Sequence, residues 1–164
     1  MTRSEMRDAV EELIYREACL LDDKKWRDWI ALYAEDAVFW MPAWASEYET
    51  TADPELELNL IYLKGYANIE DRVFRVETGD SFASMPMDRT VHVVGNVHLT
   101  GVEGESVSAR ANWIVHSYGP HGGLTRGGSY EYRLRQRAAE WKIARKKIVM
   151  IDDKLVGAVD FFHV

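Results

Sequence analysis

Between residues 6 and 21 the apolar positions fall three or four apart: Met6, Val10, Leu13, Ile14, Ala18 and Leu21. Acidic and basic residues fill the gaps, which is the pattern of a helix with one buried stripe. Thr2-Arg3-Ser4-Glu5 precedes the stripe as a capping box, a threonine cap with glutamate three residues later. The spacing predicts a first helix ending near Leu21. Asp22 or Asp23 then caps a second helix with Trp26, Trp29, Ile30 and Tyr33 on one face. Residues 37–41 read as a short strand stopped by Pro42. Asp53-Pro54-Glu55 reads as another helix start, with proline at the first helical position. Residues 69–78 read as helical, with Val73 and Phe74 inward.

After Asp88 the period drops to two. Residues 90–100, 106–117, 125–136 and 141–151 alternate in character, and short glycine-rich or charged connections separate them. Such connections make hairpins, so the sheet is predicted to be mostly antiparallel. Helices followed by a meander of long strands give an α+β fold. The expected shape is a cone: a strongly curved sheet with the N-terminal helices packed on it, in a single domain over residues 1–164.

The segment from Met85 to Val97 departs from a simple strand pattern. Thr90, His92, Val94, Asn96 and His98 are predicted to share one face, and Val91, Val93, Val97 and Leu99 the other. The first face is too polar for an ordinary core. Its polar residues make it a candidate for a specific role.

Composition narrows the classes. Hydrophobic residues make up 47% and charged residues 29% of 164 positions, as in ordinary globular chains. No apolar run approaches the roughly 20 residues that span a bilayer, and the first residues lack the apolar core of a secretory leader. A single cysteine, Cys19, excludes an internal disulfide and fits the cytoplasm. The net charge of −7 argues against nucleic acid or an anionic membrane as partner.

Candidate chemistry is sparse. No histidine pair stands at helical metal-binding spacing, and His92, His98 and His116 read as separate strand residues. Gly119 to Gly123 and Gly127-Gly128 read as turn and bulge glycines rather than a phosphate loop. A pocket inside the cone permits acid–base chemistry by Asp36, His92 and a tyrosine, Tyr130 or Tyr132. The same pocket without that chemistry is a small-molecule-binding module. Trp44 and Tyr48 lie in the loop after the first strand, where large aromatics form a binding face or plug the end of the cone. The terminal Phe161 and Phe162 are too sticky to be left in water, so the tail is expected to be docked.

Taken together these segments resemble the small (beta) subunit of Rieske non-heme iron aromatic-ring-hydroxylating dioxygenases. The resemblance is carried by Leu21 to Tyr33 running into Asp36 to Pro42, by Glu70-Asp71-Arg72-Val73-Phe74-Arg75-Val76, and by Asp88-Arg89-Thr90-Val91-His92 ahead of Asn96-Val97. Late in the chain Trp141 to Lys147 and Asp160-Phe161-Phe162 complete it. Trp40-Met41-Pro42-Ala43-Trp44, with Thr51 to Pro54 after it, is most similar to the benzoate, toluate and anthranilate branch. The resemblance implies a cone fold of the nuclear transport factor 2 and ketosteroid isomerase type. It implies a structural chain with no cofactor of its own. The large (alpha) subunit is then the carrier of the Rieske iron–sulphur cluster, the mononuclear iron and the substrate pocket. It also implies a hexamer of three alpha and three beta chains, with electrons from a reductase. Trp44, Tyr48, Arg72, Arg75, Asp88, Arg89, His92, Asn96, Phe161 and Phe162 are the candidates for intersubunit contacts or for an internal brace of the sheet.

Overall fold

The structure, a computed structural model, describes residues 2–81 and 85–164. Helix α1 (Arg3–Asp22) starts as its capping box dictates. The Thr2 hydroxyl accepts the Glu5 N–H at 3.2 Å, and the Glu5 carboxylate accepts the Thr2 N–H at 2.7 Å. The apolar stripe is buried, and Glu17 is buried with it. Helix α2 (Trp26–Ile30) has no side-chain cap, because the predicted caps are used elsewhere. Asp23 ends α1, and Asp22 turns its carboxylate to the sheet.

Strand β1 (Tyr33–Pro42) is longer than expected. The helix expected at Asp53 does not form. Its residues make a turn in which Asp53 C=O accepts the N–H groups of Leu56 and Glu57. The chain then enters β2 (Asn59–Lys64), which pairs antiparallel with β1. Proline after an acidic residue serves a turn as well as a helix start, and strand pairing only five residues later leaves no room for a helix. Helix α3 (Tyr66–Glu77) follows Gly65, whose φ of 87° suits glycine. It buries Ile69, Val73 and Val76, while Phe74, predicted inward, is half exposed.

Four long strands complete the sheet: β3 (Arg89–Glu103), β4 (Ser106–Gly119), β5 (Gly122–Arg137) and β6 (Glu140–Met150). The order is β2-β1-β6-β5-β4-β3. Among the described strands the β1–β6 pair alone is parallel, so the first strand joins the last. The inner face carries the core: Val107, Ala109, Ala111, Trp113 and Val115 of β4 face Tyr130, Tyr132 and Leu134 of β5 and Ile143 and Ile148 of β6. Helix α1 covers it above β3, and α3 lies against β1.

The two-face reading of β3 holds only halfway. Gly95 pairs with Asn112 and His98 with Arg110, so β3 carries one extra residue there. Asn96 takes the left-handed φ of 54° that such a bulge needs. The bulge reverses the alternation. Thr90, His92 and Val94 face inward before it, and Val97 and Leu99 after it, while Asn96 and His98 are exposed.

Candidate functional site

Three groups of side chains stand out from the packing, and the first lies inside the cone. Glu17 on α1 and Lys146 on β6 are each 1% exposed by side chain and paired at 3.0 Å. Tyr33 and Tyr132 donate to the same carboxylate at 2.5 and 2.7 Å. The Lys146 ammonium lies 4.1 Å from the Tyr130 ring centroid, a cation–π contact. Burial pushes Lys146 below its ordinary value despite the attraction of Glu17. Burial, and then the Glu17 charge, push Tyr33, Tyr130 and Tyr132 well above theirs. All three phenols are therefore proton donors at neutral pH. The sequence does not single out Glu17, and it places Lys146 in the basic run Arg145-Lys146-Lys147, which reads as a solvated or partner-facing edge; the structure buries Lys146 instead, and each of the two interrupts an apolar pattern. Glu17 sits on the stripe of Leu13, Ile14 and Leu21, and Lys146 lies two residues before inward Ile148.

Asp22 and His92 form the second group. Asp22 Oδ1 lies 2.6 Å from His92 Nδ1 and accepts the Thr90 hydroxyl at 2.9 Å, and Oδ2 accepts the His92 backbone N–H at 2.8 Å. Burial opposes ionisation of Asp22, but these hydrogen bonds and the imidazole outweigh it and hold the carboxyl below its ordinary value. An ionised carboxylate only accepts, so Nδ1 carries a proton toward it, and Nε2 is buried with no partner. The Asp36–His92 pairing is not formed. Asp36 is exposed on the sheet rim, where Arg135 grips both its oxygens at 3.0 and 3.1 Å. Glu17, His92, Tyr130 and Lys146 line none of the surface cavities of about 430 to 540 Å³ seen at α1 and α2, at the 117–126 turn, on the outer sheet face, at the β1 start and beside α3. The arrangement orients an imidazole and braces α1 on the sheet.

The third group ties down the tail. Arg72 on α3 holds the buried Asp160 with two hydrogen bonds, at 3.0 and 2.7 Å. Asp160 also caps the short 3-10 turn Phe161–His163. Phe161 stacks on Trp29 at 4.9 Å and meets Trp26 edge-on at 5.3 Å, and Phe162 is fully buried beside it. Trp44 is half-buried and donates to the Met150 carbonyl at 2.9 Å.

Among the remaining candidates Asp88 is half-buried, its carboxylate 3.4 Å from His163 Nε2, and the others are at the surface. Tyr48 is 83% exposed. Arg75 makes a loose pair with Asp71 one turn away on α3, at 3.7 Å. Arg89 lies over the Tyr118 ring on the outer face of β3 and β4. That outer face is apolar beyond need. Val93 and Ile114 are cross-strand partners 62% and 55% exposed, beside Val91 at 51% and Tyr118 at 52%. The sequence reading placed the valines on one face but not in water, because the side of a strand that a helix covers is a tertiary matter.

Comparison with known proteins decides the family. The family model described as ring hydroxylating beta subunit matches residues 16–156. The chain belongs to this family. The beta-subunit match takes in Glu17, Asp22, His92 and Lys146 and stops short of the docked tail. The chain is 33% identical over 157 residues to the benzoate 1,2-dioxygenase subunit beta of Acinetobacter baylyi, covering 96% of this chain and 93% of that one. The crystal structure of the beta subunit of the benzoate 1,2-dioxygenase from Burkholderia mallei superposes with a TM-score of 0.78 at 34% identity, over 94% of this chain and 95% of that one. An NTF2-like protein with a cystatin-like fold from Novosphingobium aromaticivorans superposes at 0.64 with 20% identity, over 92% of this chain and 84% of that one. That likeness shows the fold alone, and it is the cone expected from the sequence.

Proposed function

We propose that this chain is the structural beta subunit of a cytoplasmic oxygenase complex that hydroxylates an aromatic acid of the benzoate type. Its partner is an alpha subunit that carries the Rieske cluster, the mononuclear iron and the substrate pocket. The complex holds three chains of each kind, and a reductase supplies it with electrons. The outer face of β3 and β4 carries this reading: Val91, Val93, Ile114 and Tyr118 form an apolar surface flanked by Arg89. Exposed apolar side chains clustered about the Val93–Ile114 pair, with His116 between Ile114 and Tyr118, mark an interaction site, and an aromatic with an arginine at its border is the composition of an interface centre. The interior supports the same reading, since aromatic rings and the Glu17–Lys146 pair fill it. Among the described residues no helix is long and apolar enough to cross a membrane.

The test is co-expression with a candidate alpha subunit, followed by light scattering and iron analysis of the purified complex. The expected result is a stable hetero-oligomer whose iron follows the alpha chain. V93D with I114D is expected to abolish co-purification while leaving the isolated chain folded by circular dichroism. A double variant that still assembles at wild-type yield moves the docking face elsewhere on the molecule.

A further inference from the structure

The loop between β1 and β2 holds acidic and aromatic side chains out in water on a firmly bonded frame. Residues 43–58 contain five acidic residues and no basic one. A bridge between Trp44 and Thr50 closes the hairpin tip. Within it the Glu49 carbonyl accepts the Ala45 and Ser46 N–H groups at 2.8 and 3.1 Å, and the Ser46 hydroxyl accepts the Glu49 N–H at 3.2 Å. Trp44 ties the base of the tip to the end of β6 through the Met150 carbonyl. The Glu57 carboxylate accepts the Ala52 and Asp53 N–H groups at 2.6 and 2.5 Å, which fixes the second half of the loop. From this frame Tyr48 stands 83% exposed, with Glu47 and Glu49 exposed on either side of it. The next basic residue along the chain, Lys64, pairs with Glu55, and neither Glu47 nor Glu49 forms an ion pair among the described residues. A loop already ordered in the free chain loses little entropy when it binds.

The outer face of β4, β5 and β6 has the opposite charge. Arg145 of β6 lies directly across from Arg133 of β5, a placement that like charges make unfavourable. Arg110 of β4 and Lys147 of β6 flank Glu131 of β5 from its two sides. Lys147 reaches Glu131 at 4.0 Å and Arg133 reaches Glu103 at 2.9 Å, while Arg110 and Arg145 meet no carboxylate within 4.0 Å among the described residues. Two acids therefore answer four cations, in a chain whose net charge is −7. The four cations and Glu131 line one depression of about 430 Å³. Arg110, Arg133 and Arg145 are exposed, so the patch is open to a partner.

We infer that the acidic loop of one copy of this chain seats on the basic sheet face of a second copy. Glu47 and Glu49 pair with the guanidinium forks of Arg133 and Arg145, and the Tyr48 ring lies against a guanidinium. Tyrosine and arginine are the side chains that anchor interfaces. Charge complementarity names the occupant: the chain supplies both halves, and within one copy neither half satisfies the other. The two surfaces differ, so the contact is heterologous and closes as a ring where the rotation allows. A ring of three matches the three beta chains of the complex proposed above. The Val93–Ile114 end of the sheet stays free for the alpha subunit, and the contact between copies does not require that subunit.

The test is sedimentation velocity of the isolated full-length chain over a range of concentrations, at low and at raised salt. The expectation is reversible self-association that weakens as salt screens the charges. E47K/E49K and R133E/R145E, all at exposed positions, are each expected to weaken it by about tenfold or more, with the circular dichroism spectrum unchanged. The combined variant E47K/E49K/R133E/R145E, in which both charges are reversed, is expected to associate again. A wild-type chain that stays monomeric at every concentration overturns the contact, as does association that salt leaves unmoved. A double variant that associates like wild type overturns it too, and so does a combined variant that stays monomeric. A monomeric wild type beside loss of alpha-subunit co-purification in R133E/R145E overturns it and assigns the basic face to an acidic segment of that subunit. Self-association is read on this chain alone and alpha-subunit docking on V93D with I114D, so the two readings fail separately.

Discussion

Single residues that break a pattern carry the internal order of this protein. A buried lysine–glutamate pair is held less by Coulomb attraction than by having every donor and acceptor placed. Glu17 has three donors, from Tyr33, Tyr132 and Lys146, so neither carboxylate oxygen is left without a partner in a dry interior. Replacing Lys146 by Met leaves Glu17 buried with only the two phenols. The expected cost is about 3–5 kcal/mol, read as a lower urea midpoint at unchanged slope. The double variant E17L/K146M is expected to recover most of that loss, because no uncompensated charge remains. The sequence shows both residues as interruptions of apolar spacing. It does not show that they meet, since 129 positions separate them. His92 gives the complementary lesson. Its polar setting was legible, but its partner is Asp22 rather than Asp36, because the register of a helix over a strand depends on packing that no local pattern encodes.

At the scale of elements, legibility follows length and periodicity. The four late strands run for 11 to 16 residues with clear alternation, and the reading found each within a few residues. Strand β2 is Asn-Leu-Ile-Tyr-Leu-Lys, a short apolar run with no period of its own. The reversal within β3 was hidden because a bulge depends on the partner strand, and only Gly95-Asn96 hinted at it. The tail is an element fixed from outside: Arg72 supplies the clamp and Trp26 and Trp29 the floor. Asp160→Ala removes both the clamp and the cap of the 3-10 turn. The expected loss is about 2–3 kcal/mol, discounted for the partly exposed Arg72. Hydrogen exchange checks it: amides of residues 161–164 should exchange at least tenfold faster, while those of β4 change little.

For the molecule as a whole, the cone was legible from the order of helices and long strands, and the exposed apolar face of β3 and β4 was not, because water and helices compete for the two faces of a sheet. Acid sensitivity is also a property of the whole. The Asp22 carboxyl has a folded pKa below its ordinary value: burial raises it, and the bonds from His92 and Thr90 overcome that. A depressed carboxyl stabilises the fold above the unfolded value, near pH 4, and that contribution disappears as pH falls through the folded value. Melting temperatures across pH 7 to pH 2 should therefore show D22N well below wild type at neutral pH, with the two curves converging in acid. A constant gap across that range would remove Asp22 from the acid response.

The parallel pairing of β1 with β6 has a consequence in time. During synthesis the first strand leaves the ribosome about a hundred residues before its only neighbour on that side. At roughly 5–20 residues per second, that is a wait on the order of 5–20 s. For that interval β2 is the one strand β1 can pair with, while its other side keeps an open row of backbone donors and acceptors. Only a finished chain can close the sheet, so subunits of this kind are completed before they can be recruited, and a truncated copy has no finished sheet to offer a partner.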